Sequence, residues 1–117
     1  MKHKIFVIIF LLSTITSVLA LAESEKILKL LDSIERSNLI FIRNGVEYSS
    51  RKARKHLELK MSKVGSRIHT AEQFIEYIAS KSTWTGEPYY LKFKDGTIMK
   101  TADWLQQILA EMEKSSD

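Results

Sequence analysis

Two basic residues of a predicted helix, His56 and Lys60, are four positions apart, so they share one side of that helix. The inward apolar stripe of the same helix consists of Ala53, Leu57, Met61 and Val64. His56 and Lys60 therefore border the buried face, where they could line a groove and hold a carboxylate, a phosphate or a glycan oxygen. The structural alternative is that His56 hydrogen-bonds a loop carbonyl while Lys60 is solvated.

Arg43 is a second candidate for this groove, because it immediately precedes a predicted tight turn at Asn44-Gly45. Its planar guanidinium could extend from the hairpin and bind an anion through paired N–H groups. Alternatively, it pairs with Glu47 or with the C-terminus of a helix. The predicted ligand-binding set is Arg43, His56, Lys60, Ser82 and Tyr89, which suits an anionic or carbohydrate-like ligand.

The loop before Gly86 is rich in hydroxyl groups, which come from Ser80, Ser82, Thr83 and Thr85. A catalytic serine needs a general base within reach and a third group that orients this base. His56 is the candidate base for Ser82 in a small hydrolase or transferase, but the chain contains no Gly-x-Ser-x-Gly sequence. A turn that caps the preceding helix is the competing interpretation. The sequence therefore favours binding over catalysis.

The second predicted helix is strongly basic, with Arg51, Lys52, Arg54, Lys55, Lys60, Lys63 and Arg67. This charge could attract a polyanion such as nucleic acid, an acidic lipid headgroup or a cell-wall polymer, or it could form a solvated outer face. Aromatic residues are not interleaved in this run, which weighs against single-stranded nucleic acid. Trp84 in the polar loop either contacts a partner or packs over the sheet edge.

No metal site and no cofactor are predicted. The chain has no Cys, and His56 and His69 are the two histidines beyond the N-terminal segment. They lack His-x-x-x-His spacing, and the acidic residues show no metal-binding loop pattern. A glycine-rich phosphate loop is also missing from the sequence.

The first 22 residues predict a cleaved secretory signal. A basic head at residues 2–4 is followed by an unbroken apolar run over residues 5–12, and Ala20-x-Ala22 supplies the small residues of a cleavage site. The apolar run is shorter than the roughly 20 residues of a membrane span. We therefore expect a periplasmic or secreted mature chain of residues 23–117, without a membrane span and with a formal charge lowered from +4 to +2.

Two hairpins and four helices are predicted to position these side chains. The hairpins are Leu39–Tyr48 around Asn44-Gly45 and Tyr89–Lys100 around Lys94-Asp95-Gly96. Both faces of the first strand are apolar, which predicts a position inside the sheet with both faces covered. The first helix is expected over Glu25–Arg36 with Ser24 as its N-cap.

The remaining helices are marked by local signals. The second helix follows Ser49-Ser50 and ends at Gly65, and the third starts at a capping box of Thr70 and Gln73. Thr101 is expected to be the N-cap of the last helix. The resulting order, α-β-β-α-α-β-β-α, predicts a single small α+β domain in which helices flank two β-hairpins.

Several segments together resemble a family of small exported bacterial proteins known as a domain of unknown function. The resemblance covers about Glu25 to Leu109. It rests most specifically on Phe41-Ile42-Arg43-Asn44-Gly45 and His56-Leu57-x-x-Lys60, with Ser80-x-Ser82 and Gly86-x-Pro88-Tyr89 in support. It implies an exported α+β domain and carries no assigned activity.

The sequence thus predicts an exported, non-catalytic binding or interaction module whose ligand or protein partner lies outside the cytoplasm. The alternatives are a small hydrolase or transferase that uses His56 and Ser82, and a basic-surface polyanion binder. The oligomeric state is left open.

Overall fold

The computed structural model of the protein describes residues 22–115. The predicted signal over residues 1–22 therefore lies outside the described residues, apart from Ala22. Within residues 22–115, no helix combines the length and the apolarity that crossing a membrane requires.

Within residues 22–115, four helices and four strands occur in the predicted order, which confirms the α+β fold. Helix α1 covers residues 22–37 of the described chain. The other elements are β1 (Ile40–Arg43), β2 (Val46–Tyr48), α2 (Ser50–Val64), α3 (Ala71–Gln73), β3 (Tyr90–Lys92), β4 (Ile98–Lys100) and α4 (Thr101–Ser115). A 3₁₀ turn (Gly65–Arg67) extends α2, and a π-helical turn (Phe74–Ile78) extends α3.

The strands form one antiparallel sheet in the order β2-β1-β3-β4. The first hairpin turns at Asn44 and Gly45, whose φ angles of 51° and 78° are those that an Asn-Gly turn favours. Phe41 lies opposite both Tyr48 and Leu91, so these three side chains share one face of the sheet. Arg43, two residues after Phe41, points to the same face at the end of β1.

The helices pack on this face and enclose the hydrophobic core. The fully buried side chains include Leu30 and Ile34 of α1, Phe74 of the π-helical turn, Leu91 of β3 and Leu105 of α4. Helix α2 contributes Leu57 to the same core. The predicted central position of β1 is confirmed, but the prediction that both of its faces are covered is wrong. Ile40 and Ile98, on the opposite face, are 37% and 58% exposed, since the core lies on one side of the sheet.

Three local predictions are also wrong. Ser24 does not cap α1, because residues 22 and 23 are already helical. Thr101 is itself the first residue of α4, and its buried hydroxyl has no hydrogen-bond partner in the described chain, so it caps nothing. Val64, expected on the inward stripe, is 38% exposed because it lies at the end of α2, where the helix leaves the core.

Candidate functional site

A groove of about 710 Å³ runs along α2, between this helix on one side and the π-helical turn and the loop before β3 on the other. Its α2 wall is formed by His56, Lys60, Lys63 and Val64, followed by Arg67 and Ile68 beyond the helix. The opposite side includes Tyr77, Ile78, Ser82, Trp84 and Tyr89, and Arg43 also lines the groove. All five predicted site residues therefore line a single groove, while their binding of a ligand stays a prediction.

Arg43 contacts His56 and Tyr48 instead of a carboxylate. Its Nη1 lies 3.1 Å from Nδ1 and 3.2 Å from Nε2 of His56, and its Nη2 donates to the Tyr48 hydroxyl over 3.0 Å. The guanidinium carbon also lies 5.0 Å from the centre of the Tyr48 ring, in a cation–π contact. The alternative pairing of Arg43 with Glu47 does not occur, because Glu47 accepts from Lys92.

Tyr89 joins His56 to Lys60. The Lys60 ammonium donates to the Tyr89 hydroxyl over 3.0 Å and to the Lys81 carbonyl over 3.1 Å. His56 Nε2 lies 3.2 Å from the same hydroxyl. Arginine has no acceptor, so His56 must accept from Arg43. We assign Nδ1 as that acceptor and Nε2–H as the donor to Tyr89. The Tyr89 hydroxyl then accepts from both His56 and Lys60, and its own proton has no acceptor inside this cluster.

Burial and mutual repulsion shift the pKa values of the cluster. The pKa of His56 is lowered by burial and by the charges of Arg43, Lys60 and Lys63. The pKa of Lys60 is lowered by burial and by Arg43. Burial raises the pKa of Tyr89, against the opposing effect of Arg43. The groove thus holds a neutral His56 between two cations.

Arg43 and Lys60 differ from the paired cations Lys26, Arg54 and Lys92 in having no carboxylate partner within residues 22–115. Arg54, on another side of α2, lies 2.6 Å from Asp32, 3.7 Å from Glu35 and 3.6 Å from Glu58. By contrast, no carboxylate lines the groove and no salt bridge forms at Arg43 or Lys60 within residues 22–115. The two cations are held by neutral groups, so their positive charge is not compensated locally.

Ser82 lines the groove, but its hydroxyl oxygen accepts hydrogen bonds from neighbouring loop residues. This buried Oγ accepts from Asn44 Nδ2 at 3.3 Å and from the backbone N–H groups of Trp84 and Thr85 at 3.3 and 3.4 Å. His56 makes its contacts with Arg43 and Tyr89. Ser82 therefore lies in a hydroxyl-rich turn, as the alternative to catalysis predicted, but its hydroxyl caps this turn and not the preceding helix.

The turn that contains Ser82 holds Trp84 in an exposed position. The Ser82 N–H donates to the Glu87 carbonyl and the Gly86 N–H to the Ser82 carbonyl, each over 2.9 Å. Trp84 lies at the tip of this closed turn and is 96% exposed. Packing of Trp84 over the sheet edge, one of the two sequence-based interpretations, is therefore wrong. Its contact with a partner stays a prediction.

Lys63, Arg67 and Tyr77 also line the groove but were not among the predicted site residues. The sequence did contain a signal for Lys63 and Arg67. They continue the series that starts at His56 and Lys60 in steps of four, three and four residues, which follow one side of a helix. No sequence signal indicated Tyr77, because its place in the groove depends on how the π-helical turn packs against α2. Residues 22–115 contain no group of three or more His, Asp or Glu residues that could hold a metal ion.

Comparison with known proteins places the chain among proteins of undetermined function. Residues 21–113 match the model of a family of unknown function, DUF5329. The uncharacterized protein YfeK of Salmonella typhimurium is 46% identical over 55 residues, which are 47% of this chain and 46% of that protein. The matched segment thus spans about half the length of this curated relative. No solved structure shows a significant match.

Proposed function

The chain belongs to the DUF5329 family, and we propose that it is a non-catalytic binding module that takes small anionic ligands into the groove along α2. The observation that carries this proposal is that Arg43 and Lys60 have no carboxylate partner in the described part of the chain. Both cations are partly buried in a concave site, and both are held by tyrosine, histidine or carbonyl groups. A partly buried positive charge without a counter-charge favours an anion from solution.

The donors left over in the cluster define how an anion would bind. Arg43 has five N–H groups and directs them from two nitrogens to His56 and Tyr48, so further N–H groups are available. Lys60 has three and uses two. The free hydroxyl proton of Tyr89 lies between them. Together these groups can donate to two or three oxygens of one carboxylate or phosphate.

Catalysis by Ser82 and His56 receives less support from the geometry. The Ser82 hydroxyl accepts from Asn44 and from two backbone N–H groups of its own turn, and the imidazole of His56 contacts Arg43 and Tyr89 instead of Ser82. A polyanion binder that uses the whole basic helix is also less favoured. Arg54 is neutralised by acidic side chains, and Lys60 faces a groove instead of an open surface.

Binding of inorganic phosphate to the purified protein tests the proposed function. NMR titration should shift the backbone signals of residues around Arg43, Lys60 and Tyr89, and Lys60→Met should weaken binding at least fivefold. Lys55→Met is the matched control, because Lys55 is exposed on the same helix outside the groove. Uniform small shifts over the basic surface, or equal loss in both variants, would refute a specific anion site.

We also propose that the protein acts outside the cytoplasm, which rests on the signal-like residues 1–22. Intact-mass measurement of the protein recovered from its host tests this. A mass that corresponds to residues 23–117 is expected, whereas a chain that retains Met1 in the cytosolic fraction would contradict export.

A further inference from the structure

Exposed apolar groups accompany the cations in the groove along α2. Val64, Tyr77 and Trp84 are 38%, 62% and 96% exposed, and all three line this one site. Large apolar side chains that gather in a concave site mark a binding surface more strongly than single exposed ones do. The groove therefore offers an apolar surface in addition to its positive charge.

Apolar residues follow the hydrogen-bonded cluster along α2. Arg43, His56, Lys60 and Tyr89 contact one another, which places their donors together, whereas Lys63 and Arg67 alternate with Val64 and Ile68 farther along the groove. Val64 is one turn beyond Lys60, about 6 Å along the helix axis, and Ile68 follows the 3₁₀ turn after it. An occupant bound to the cluster through an acidic group would extend over these apolar residues.

Trp84 is prepared for such a contact before any ligand binds. Its turn is closed by the backbone hydrogen bonds between Ser82 and residues 86 and 87, and Asn44 links the turn to the first hairpin. Because the backbone of the turn is already ordered, a ligand that covers Trp84 has to order only the two side-chain torsions of the indole. The large exposed surface of the indole can thus be buried at a limited entropic cost.

We propose that the ligand of the groove is an amphipathic carboxylic acid, with its carboxylate on Arg43, Lys60 and Tyr89 and its apolar body against Val64, Ile68 and Trp84. This inference rests on the proposed function and specifies the ligand class. The volume of about 710 Å³ lies in the range of small-molecule sites.

Calorimetry of the full purified protein with octanoate, acetate and octanol tests the two parts of this ligand separately. Octanoate should bind at least tenfold more tightly than acetate, which has the same carboxylate without the apolar body. It should also bind at least tenfold more tightly than octanol, which lacks the charge. An aromatic acid, naphthoate, distinguishes a flat apolar body from an acyl chain, and binding of either acid supports the proposal.

Two variants locate the apolar contact. Trp84→Ala should weaken octanoate binding at least fivefold while leaving phosphate binding unchanged. Leu59→Ala is the matched control, because Leu59 is 55% exposed on α2 but does not line the groove. Since Trp84 is almost fully exposed, its replacement should not lower the thermal unfolding midpoint.

The outcomes separate this inference from the proposed function. If phosphate binds at Lys60 but octanoate is no tighter than acetate, the amphipathic ligand is refuted and the anion site stands. If neither phosphate nor octanoate binds, both fail. If octanol binds as tightly as octanoate, the cations do not contribute to binding, and the proposal is refuted. Binding to phosphatidylglycerol vesicles without octanoate binding would indicate a membrane surface instead and would overturn the proposal.

Discussion

Asn44 holds the two loops of the site together, and its replacement should destabilise the fold in two separable ways. Its side-chain Nδ2 donates to Ser82 Oγ over 3.3 Å, and its Oδ1 accepts from Thr85 Oγ1 over 2.6 Å. Its backbone has a φ of 51°, in the left-handed region that Gly and Asn adopt more readily than Ala. Asn44 thus contributes both hydrogen bonds and a backbone conformation.

The expected free-energy changes follow from these two contributions. Asn44→Gly keeps the backbone conformation and removes two hydrogen bonds of about 0.5–1 kcal/mol each, which gives a loss of about 1–2 kcal/mol. Asn44→Ala removes the same bonds and adds about 1 kcal/mol for an alanine at positive φ. The alanine variant should therefore be about 2–3 kcal/mol less stable than the parent protein.

Asn38 provides a matched control within the same chain. Its φ is 53°, and its side chain makes no hydrogen bond within the described residues. Asn38→Gly should therefore be nearly neutral, while Asn38→Ala should lose about 1 kcal/mol for the backbone alone. The difference between the glycine variants at positions 44 and 38 isolates the side-chain bonds of Asn44.

Urea unfolding followed by tryptophan fluorescence measures these changes. Trp104 reports on the core, since its ring packs edge-on against Phe41 with 6.2 Å between the ring centres. With a slope of about 1–2 kcal/mol per molar urea, Asn44→Gly should lower the midpoint by about 1 M. Equal midpoints for the glycine variants at positions 44 and 38 would show that the bonds from Asn44 to the Ser82 turn contribute nothing.

Two further predictions concern protonation and the acidic partners of α2. The pKa of His56 is lowered in the folded protein, so between that pKa and about 6.5 the unfolded chain binds more protons. The free energy of unfolding should therefore decrease as the pH falls below about 6.5, and urea midpoints at pH 7.5 and 5.5 should differ less for His56→Gln than for the parent. An equal pH response of the two proteins would contradict this. Arg54→Met should cost about 1–2 kcal/mol, because it leaves Asp32, Glu35 and Glu58 close together without their cation, whereas exposed Lys55→Met should change stability little. The urea midpoints of both variants, at low and at high salt, measure this. Equal midpoints for Arg54→Met and Lys55→Met would show that the cluster around Arg54 is not stabilising.

Features that depend on residues close in the chain were predicted from the sequence. The Asn44-Gly45 turn has the expected positive φ angles, and Thr70 and Gln73 form the expected capping box. Ser49 accepts from the Lys52 N–H as the N-cap of α2. Each of these motifs is stabilised by interactions over two to four residues, so its sequence is sufficient to specify it.

Features that depend on packing were missed or mistaken. The π-helical turn at Phe74–Ile78 has no simple sequence signal. The hydroxyl of Thr101 was expected to cap a helix but is buried without a hydrogen-bond partner among residues 22–115. The open face of the sheet could not be inferred from the apolar residues of β1, because the number of layers depends on where all the helices pack.

The sequence by itself determined the order of the elements, the two hairpins and the presence of basic residues on one side of α2. The tertiary structure decided which partners these basic residues have. Arg43 and His56 are 13 positions apart, and Lys60 and Tyr89 are 29 apart. Whether such residues meet each other or a carboxylate depends on how β1, α2 and the loop before β3 pack, and no local pattern encodes that choice. The uncompensated charge of the groove is therefore a property of the fold.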